Sequence, residues 1–171
     1  MTEPRDPSPA GDGSGSPPAP DPGPPAEPGT YALLLRPTGS GEVRIGALGT
    51  LELRPGRYVY VGSAFGPGGL AARVGRHVEH PDTRHWHIDH LLDAVEVVEV
   101  LYTLDPRRRE EAWARFFRGA TGASVPLGSF GAGDCGCEGH LVHLREAPSP
   151  EALRAATGTG EVRRWRPAAC G

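Results

Sequence analysis

Three side chains in the first half of the chain are of the types that phosphate chemistry uses. Tyr31 follows Gly29-Thr30, Tyr60 precedes Val61-Gly62, and Arg73 comes after the second glycine turn. A tyrosine hydroxyl carried on a strand is rigid, so it can orient or activate a water. Its ordinary pKa near 10 means that it needs a metal or another cation beside it to serve as a base. Arginine presents a planar fork of N–H donors that matches a phosphate. His77 lies one helical turn beyond Arg73 and is the residue type that carries protons near neutral pH. Each has an ordinary alternative. A tyrosine on an alternating strand packs half-buried, a helical arginine is solvated, and a helix-border histidine has no role.

A second group is Cys135, Cys137 and His140, three soft ligands within six residues. Structural zinc takes four ligands and more often uses cysteines two to four residues apart. A one-residue gap is a poor grip for both thiolates. The segment His85-Trp86-His87-Ile88-Asp89-His90 offers a fourth ligand, with His85 and Asp89 one turn apart and His87 and His90 likewise. The alternative is a buried hydrogen-bond cluster, with the free cysteines acting as small hydrophobes.

The elements that must carry these residues are legible from periodicity. Gly29 to Leu35 reads as a buried strand ended by Pro37, and Val43–Ile45 and Leu51–Leu53 alternate as half-buried strands do. Arg57 to Val61 alternates again and stops at Gly62. Residues 70–80 form a predicted helix, with Leu70, Val74 and Val78 on one face and Arg73, Arg76, His77 and His80 on the adjoining arc. A second helix is expected after Asp82 or Thr83, with Ile88, Leu91, Leu92 and Val95 as its core stripe. Val97–Leu104 is β-branched and reads as a strand. Asp105-Pro106 predicts a helix start, and the helix runs to about Arg118 with Trp113, Phe116, Phe117 and Ala120 inward. Leu141–Leu144 is a short predicted strand and 150–157 a small helix, while Glu161 onward carries no clear signal. The fold class expected is α+β, a small mixed or antiparallel sheet flanked by helices.

The pairing of Gly-Thr-Tyr-Ala-Leu-Leu-Leu with Tyr-Val-Tyr-Val-Gly-Ser-Ala, continued through Leu70-Ala71-Ala72-Arg73-Val74, resembles the GIY-YIG nuclease family over residues 29–145. The Asp-Cys-x-Cys-x-x-His-Leu run from Asp134 to Leu141 is similar to that of an uncharacterised branch of the family, whose members stand alone or are fused to endonuclease III-type DNA glycosylases. The resemblance implies a GIY-YIG-like core over 29–148 and metal-dependent hydrolysis of DNA phosphodiesters. Tyr31 and Tyr60 would take the tyrosine positions and Arg73 the phosphate role. DNA, and a glycosylase-type repair partner, are the partners implied. The sequence departs from the pattern at Thr30, which stands where the first tripeptide has Ile, and in an extra hairpin over 43–53.

By the same resemblance, the metal carboxylate belongs on a later helix, reached at Glu110-Glu111. Helical phase separates the two. Glu110 lies three residues before Trp113 and seven before Phe117, on the inward stripe, whereas Glu111 shares its side with Arg115 and Arg118. An inward carboxylate is unusual unless it has a partner or a metal. Glu110 is therefore the expected ligand for Mg2+ or Mn2+, with Glu111 as the alternative. A first-turn glutamate favoured by the helix dipole is the plainer reading. Asp134 and His140, in the motif that the branch shares, would line the phosphate cleft together with His87 and Asp89, or else serve zinc.

Composition bounds these readings. Ten of the 19 prolines fall in residues 1–28, where there is no aromatic residue, so this tail is expected to be disordered. The tail holds five acids against Arg5, which leaves the remainder of a chain of net charge −3 close to neutral. A nucleic-acid surface must then be a local patch rather than a general basic face. There is no run of 18 apolar residues and no basic start followed by an apolar stretch, so the expectation is a cytoplasmic protein without a membrane span. Three cysteines argue against a disulfide framework. Two rival functions remain open: an inactive nucleic-acid or repair-partner binding module of the same fold, and a zinc-stabilised interaction domain. Residues 149–171 are read as a C-terminal extension.

Overall fold

The computed structural model describes residues 19, 21–80, 82–132 and 138–169. In chain order the elements are β1 (Gly29–Pro37), β2 (Gly41–Ile45), a one-turn 3-10 helix (Gly46–Leu48), β3 (Gly49–Leu53), β4 (Arg57–Ala64), α1 (Gly69–Glu79), α2 (His87–Leu92), β5 (Val95–Thr103), α3 (Glu110–Arg118), β6 (Leu141–Leu144), α4 (Pro150–Thr157) and β7 (Arg163–Trp165). Five strands form one sheet in the order β6-β4-β1-β5-β7, and β2 pairs with β3 as a separate hairpin. All pairings are antiparallel. The fold is α+β. No helix among the described residues is long and apolar enough to cross a membrane.

β1 sits at the centre of the sheet, and its first seven residues are buried. That is why it reads as a continuous apolar run rather than an alternation. Alternation is still present in what each side chain meets. Tyr31, Leu33 and Leu35 join one core with α1, α2 and the hairpin, while Ala32 and Leu34 join a second core with α3 and α4. β4 repeats the pattern, with Tyr58 and Tyr60 packed into the first core and Val59 and Val61 into the second.

The two glycines of the paired tripeptides have a steric cause. Gly62 lies opposite Tyr31 in the β1–β4 ladder, and a Cβ there would stand 2.5 Å from the Tyr31 hydroxyl and from its ring carbon Cζ. A Cβ on Gly29 would stand 2.2 Å from the carbonyl oxygen of Thr103 and 2.7 Å from Leu70 Cδ1. Both positions are where something packs directly on the backbone.

Several boundaries differ from expectation. α3 begins at Glu110, not at Asp105-Pro106. The Asp105 carboxylate accepts the backbone N–H of Arg107 at 3.0 Å and Nε of Arg109 at 2.8 Å, and so closes a turn before the helix. The buried Thr30 hydroxyl accepts the backbone N–H of Arg109 at 3.1 Å, tying the N-cap residue of α3 to the central strand. α2 is one turn shorter than its apolar stripe suggests, because Val95 opens β5. The extension past residue 148 is not peripheral: Leu153 is buried in the second core and β7 pairs with β5. Of the expected tail, residues 1–18 and 20 lie outside the described residues. The carbonyls of Glu27 and Pro25 accept the N–H groups of Leu70 and Ala71 in the first turn of α1, and the Asp21 carbonyl accepts Trp165 Nε1.

Candidate functional site

α1 crosses the first face of the sheet with Leu70, Val74 and His77 buried beneath it. This brings His77 onto Tyr31. The Tyr31 hydroxyl lies 2.9 Å from His77 Nε2, and both residues are only 1% exposed. The half-buried Tyr60 packs beside them, with its ring centroid 6.5 Å from that of Tyr31 and 6.1 Å from that of His77. Burial pushes the Tyr31 hydroxyl well above its usual value of 10, and it does the same to Tyr60. The charges of Arg73, Glu110 and Asp89 bear on both hydroxyls, with Arg73 opposing the two carboxylates. Burial lowers His77 from 6.5 to about 4, against the pull of Asp89, so it is neutral near pH 7.

Behind His77, Asp89 fastens α2 to α1. One carboxylate oxygen accepts the backbone N–H groups of His85 and Trp86, at 2.8 and 3.0 Å, and Nη2 of Arg76 at 2.8 Å. The other stands 4.0 Å from Nδ1 of His77. Burial raises the Asp89 carboxyl, but these hydrogen bonds outweigh it and hold the group below the usual aspartate range. Nδ1 of His77 faces this carboxylate, which favours the tautomer whose Nε2 accepts from the Tyr31 hydroxyl.

Glu110 comes from the opposite face of the sheet at the end where β4 finishes. Ser63 continues the row of Val59 and Val61 toward α3 and donates to Glu110 Oε2 at 2.7 Å. Nδ1 of His140, just before β6, stands 2.9 Å from Glu110 Oε1. Burial raises the Glu110 carboxyl, yet the contacts with His140 and Ser63 bring it below the usual glutamate range. Held there, the carboxylate is ionised near pH 7, and the side chain is 26% exposed. Glu111 is more open, at 41%, and pairs with Nη2 of Arg118 at 2.7 Å.

Arg73, one turn before His77, stacks over Trp86 with its guanidinium carbon 4.3 Å from the ring centroid. On the other side of the site, Arg108 stacks over Phe65 at 4.8 Å and reaches Ser63 Oγ at 3.5 Å. Ser63, Trp86 and Phe65 carry no signal of their own in the sequence.

The remaining candidates divide. Nδ1 of His87 accepts the backbone N–H of Gly131 at 3.4 Å, a supporting contact for the loop that covers Tyr60. Asp134, Cys135 and Cys137 lie outside the described residues. Among the described residues no three His, Cys, Asp or Glu side chains gather as a metal cage would require. A Mg2+-type ion makes a smaller demand, one or two carboxylates with waters and substrate phosphate. The ionised, partly open carboxylate of Glu110 fits that demand.

No curated protein and no solved structure matches the chain. A family model does match, over residues 30–160, from the strand of Tyr31 through α4. The chain belongs to the family described as a domain of unknown function, DUF123.

Proposed function

We propose that the chain is a GIY-YIG-type domain that hydrolyses DNA phosphodiesters with the help of one divalent ion. The observation that carries this reading is positional: Ser63, one residue past the Gly62 that faces Tyr31, holds Glu110 of α3, while His77 against Tyr31 sets the helix of Arg73 at the same strands. Arg73 would grip the phosphate with its donor fork. Glu110 would hold Mg2+ or Mn2+, which supplies charge neutralisation at the phosphate and help for the leaving oxygen. Tyr60, half-buried, would orient the attacking water. Tyr31 is sealed inside and would hold His77 and the sheet end in place rather than touch substrate.

The second reading is a binding module of the same fold, without catalysis. What favours it is the burial of Tyr31 and the raised hydroxyls of both tyrosines, which are poor bases unless a cation lowers them. The two part experimentally. Purified protein with Mg2+ or Mn2+ should nick a branched, damaged or single-stranded DNA, and Arg73→Ala should abolish nicking. Retained DNA binding with no cleavage across such a panel leaves the binding reading.

A further inference from the structure

Arg73 and Arg76 both lie over Trp86, at 4.3 and 4.7 Å from the ring centroid. The two arginines are held differently. Arg76 is committed to the Asp89 carboxylate and the Thr83 carbonyl. Arg73 has no ion pair or hydrogen bond among the described residues, so the ring positions its guanidinium and leaves its N–H donors open. Trp86 itself is 38% exposed, one of two exposed large apolar side chains among the described residues. With the β4–α1 loop, these three side chains line a cavity of about 250 Å3. Within that loop, the half-buried ring of Phe65 lies under the exposed Arg108, which touches Ser63, the residue holding Glu110. Trp86 and Phe65 thus each carry an arginine, with the donors of Arg73 open at the cavity and Arg108 reaching the residue that holds Glu110.

Resting on the phosphodiester reading, we infer that this cleft takes an unpaired DNA strand, with one base packing at the exposed part of Trp86 while Arg73 holds the adjoining phosphate. Bases inside a duplex are stacked on each other and cannot reach side-chain rings, whereas an unpaired base has a free face for any aromatic. The near-neutral charge of residues 29–171 agrees with this, since a strand held by stacking needs fewer phosphate contacts than a duplex held by charge alone.

Binding of the full chain in EDTA tests the inference without cleavage. The probes are a labelled oligothymidylate, an abasic strand of equal length, and a duplex of the same length. The oligothymidylate should bind more tightly than the duplex, and more tightly than the abasic strand by roughly tenfold. Trp86→Ala should close that gap between thymidylate and abasic strands, while Trp86→Phe should keep most of it. Equal binding of the two strands, or a gap unchanged in Trp86→Ala, overturns the inference and leaves the phosphodiester reading standing. No binding to any of the three probes removes both.

Discussion

The hydroxyl of Tyr31 meets Nε2 of His77 at 2.9 Å inside the protein, a contact between a strand and a helix 46 positions apart in the chain. Both partners are neutral near pH 7, because burial raises the tyrosine and lowers the histidine to about 4. The pair is thus a structural joint before it is anything chemical. It fixes the helix that presents Arg73 against the strand that carries the glycine-tyrosine motif.

This joint makes folding sensitive to mild acid. The folded His77 value of about 4 lies below the ordinary 6.5, so the unfolded chain takes up the proton first. Stability should be level above pH 6.5 and fall as the pH drops toward 4, by about 3 kcal/mol if the full shift is realised. Asp89 and Glu110, held below their usual ranges, add losses only in the more acidic region where carboxylates protonate. Urea unfolding at pH 7 and pH 5 should show the decline in the native chain and a much flatter response in His77→Gln.

Gly62→Ala should destabilise the fold by about 1–3 kcal/mol, the usual cost of overpacking. The new Cβ would lie 2.5 Å from the Tyr31 ring and hydroxyl, which cannot retreat without breaking the contact with His77. The thermal midpoint reports this directly. A Gly75→Ala control, where a Cβ meets nothing within 4 Å, should hold or gain stability.

Thr30, buried on the central strand, has a definite job at the start of α3. Thr30→Val keeps the β-branched shape but leaves the Arg109 N–H without its acceptor, for about 1–3 kcal/mol. Because Arg109 is the N-cap residue of α3, the turn that begins with Glu110 should loosen. Hydrogen exchange at the start of α3 should quicken while exchange in β5 stays unchanged.

Ser63→Ala removes the donor to Glu110 Oε2 and should raise the Glu110 carboxyl toward the ordinary range. If Glu110 carries the divalent ion, the Mg2+ concentration needed for half-maximal cleavage should rise at pH 4.5, where a carboxyl at its ordinary value of 4.5 is half protonated, and stay unchanged at pH 8. Equal Mg2+ demand at the two pH values would show that Ser63 does not tune this carboxylate.

These contacts also explain what could and could not be read from the sequence. The central strand, the helix of Arg73 and the inward phase of Glu110 follow from period and spacing, which are local. The start of α3 was misplaced because Asp105-Pro106 is a sound capping signal, yet the carboxylate binds Arg107 and Arg109 and makes a turn instead. Val95 fits the helical stripe of α2 by spacing alone and belongs to β5. β7 left no trace because an edge strand of Arg163, Arg164 and Trp165 has little apolar alternation to detect. The bonds Ser63–Glu110 and Thr30–Arg109 join residues 47 and 79 positions apart, and no local pattern encodes them.

The account turns on Arg73 and Glu110 serving one phosphate site, and Glu110→Gln tests it most directly. The substitution keeps the size of the side chain and removes its charge. Cleavage of a labelled single strand with Mg2+ should be lost in Glu110→Gln while binding of the strand in EDTA stays at the native level. Cleavage at the native rate by Glu110→Gln would contradict the account.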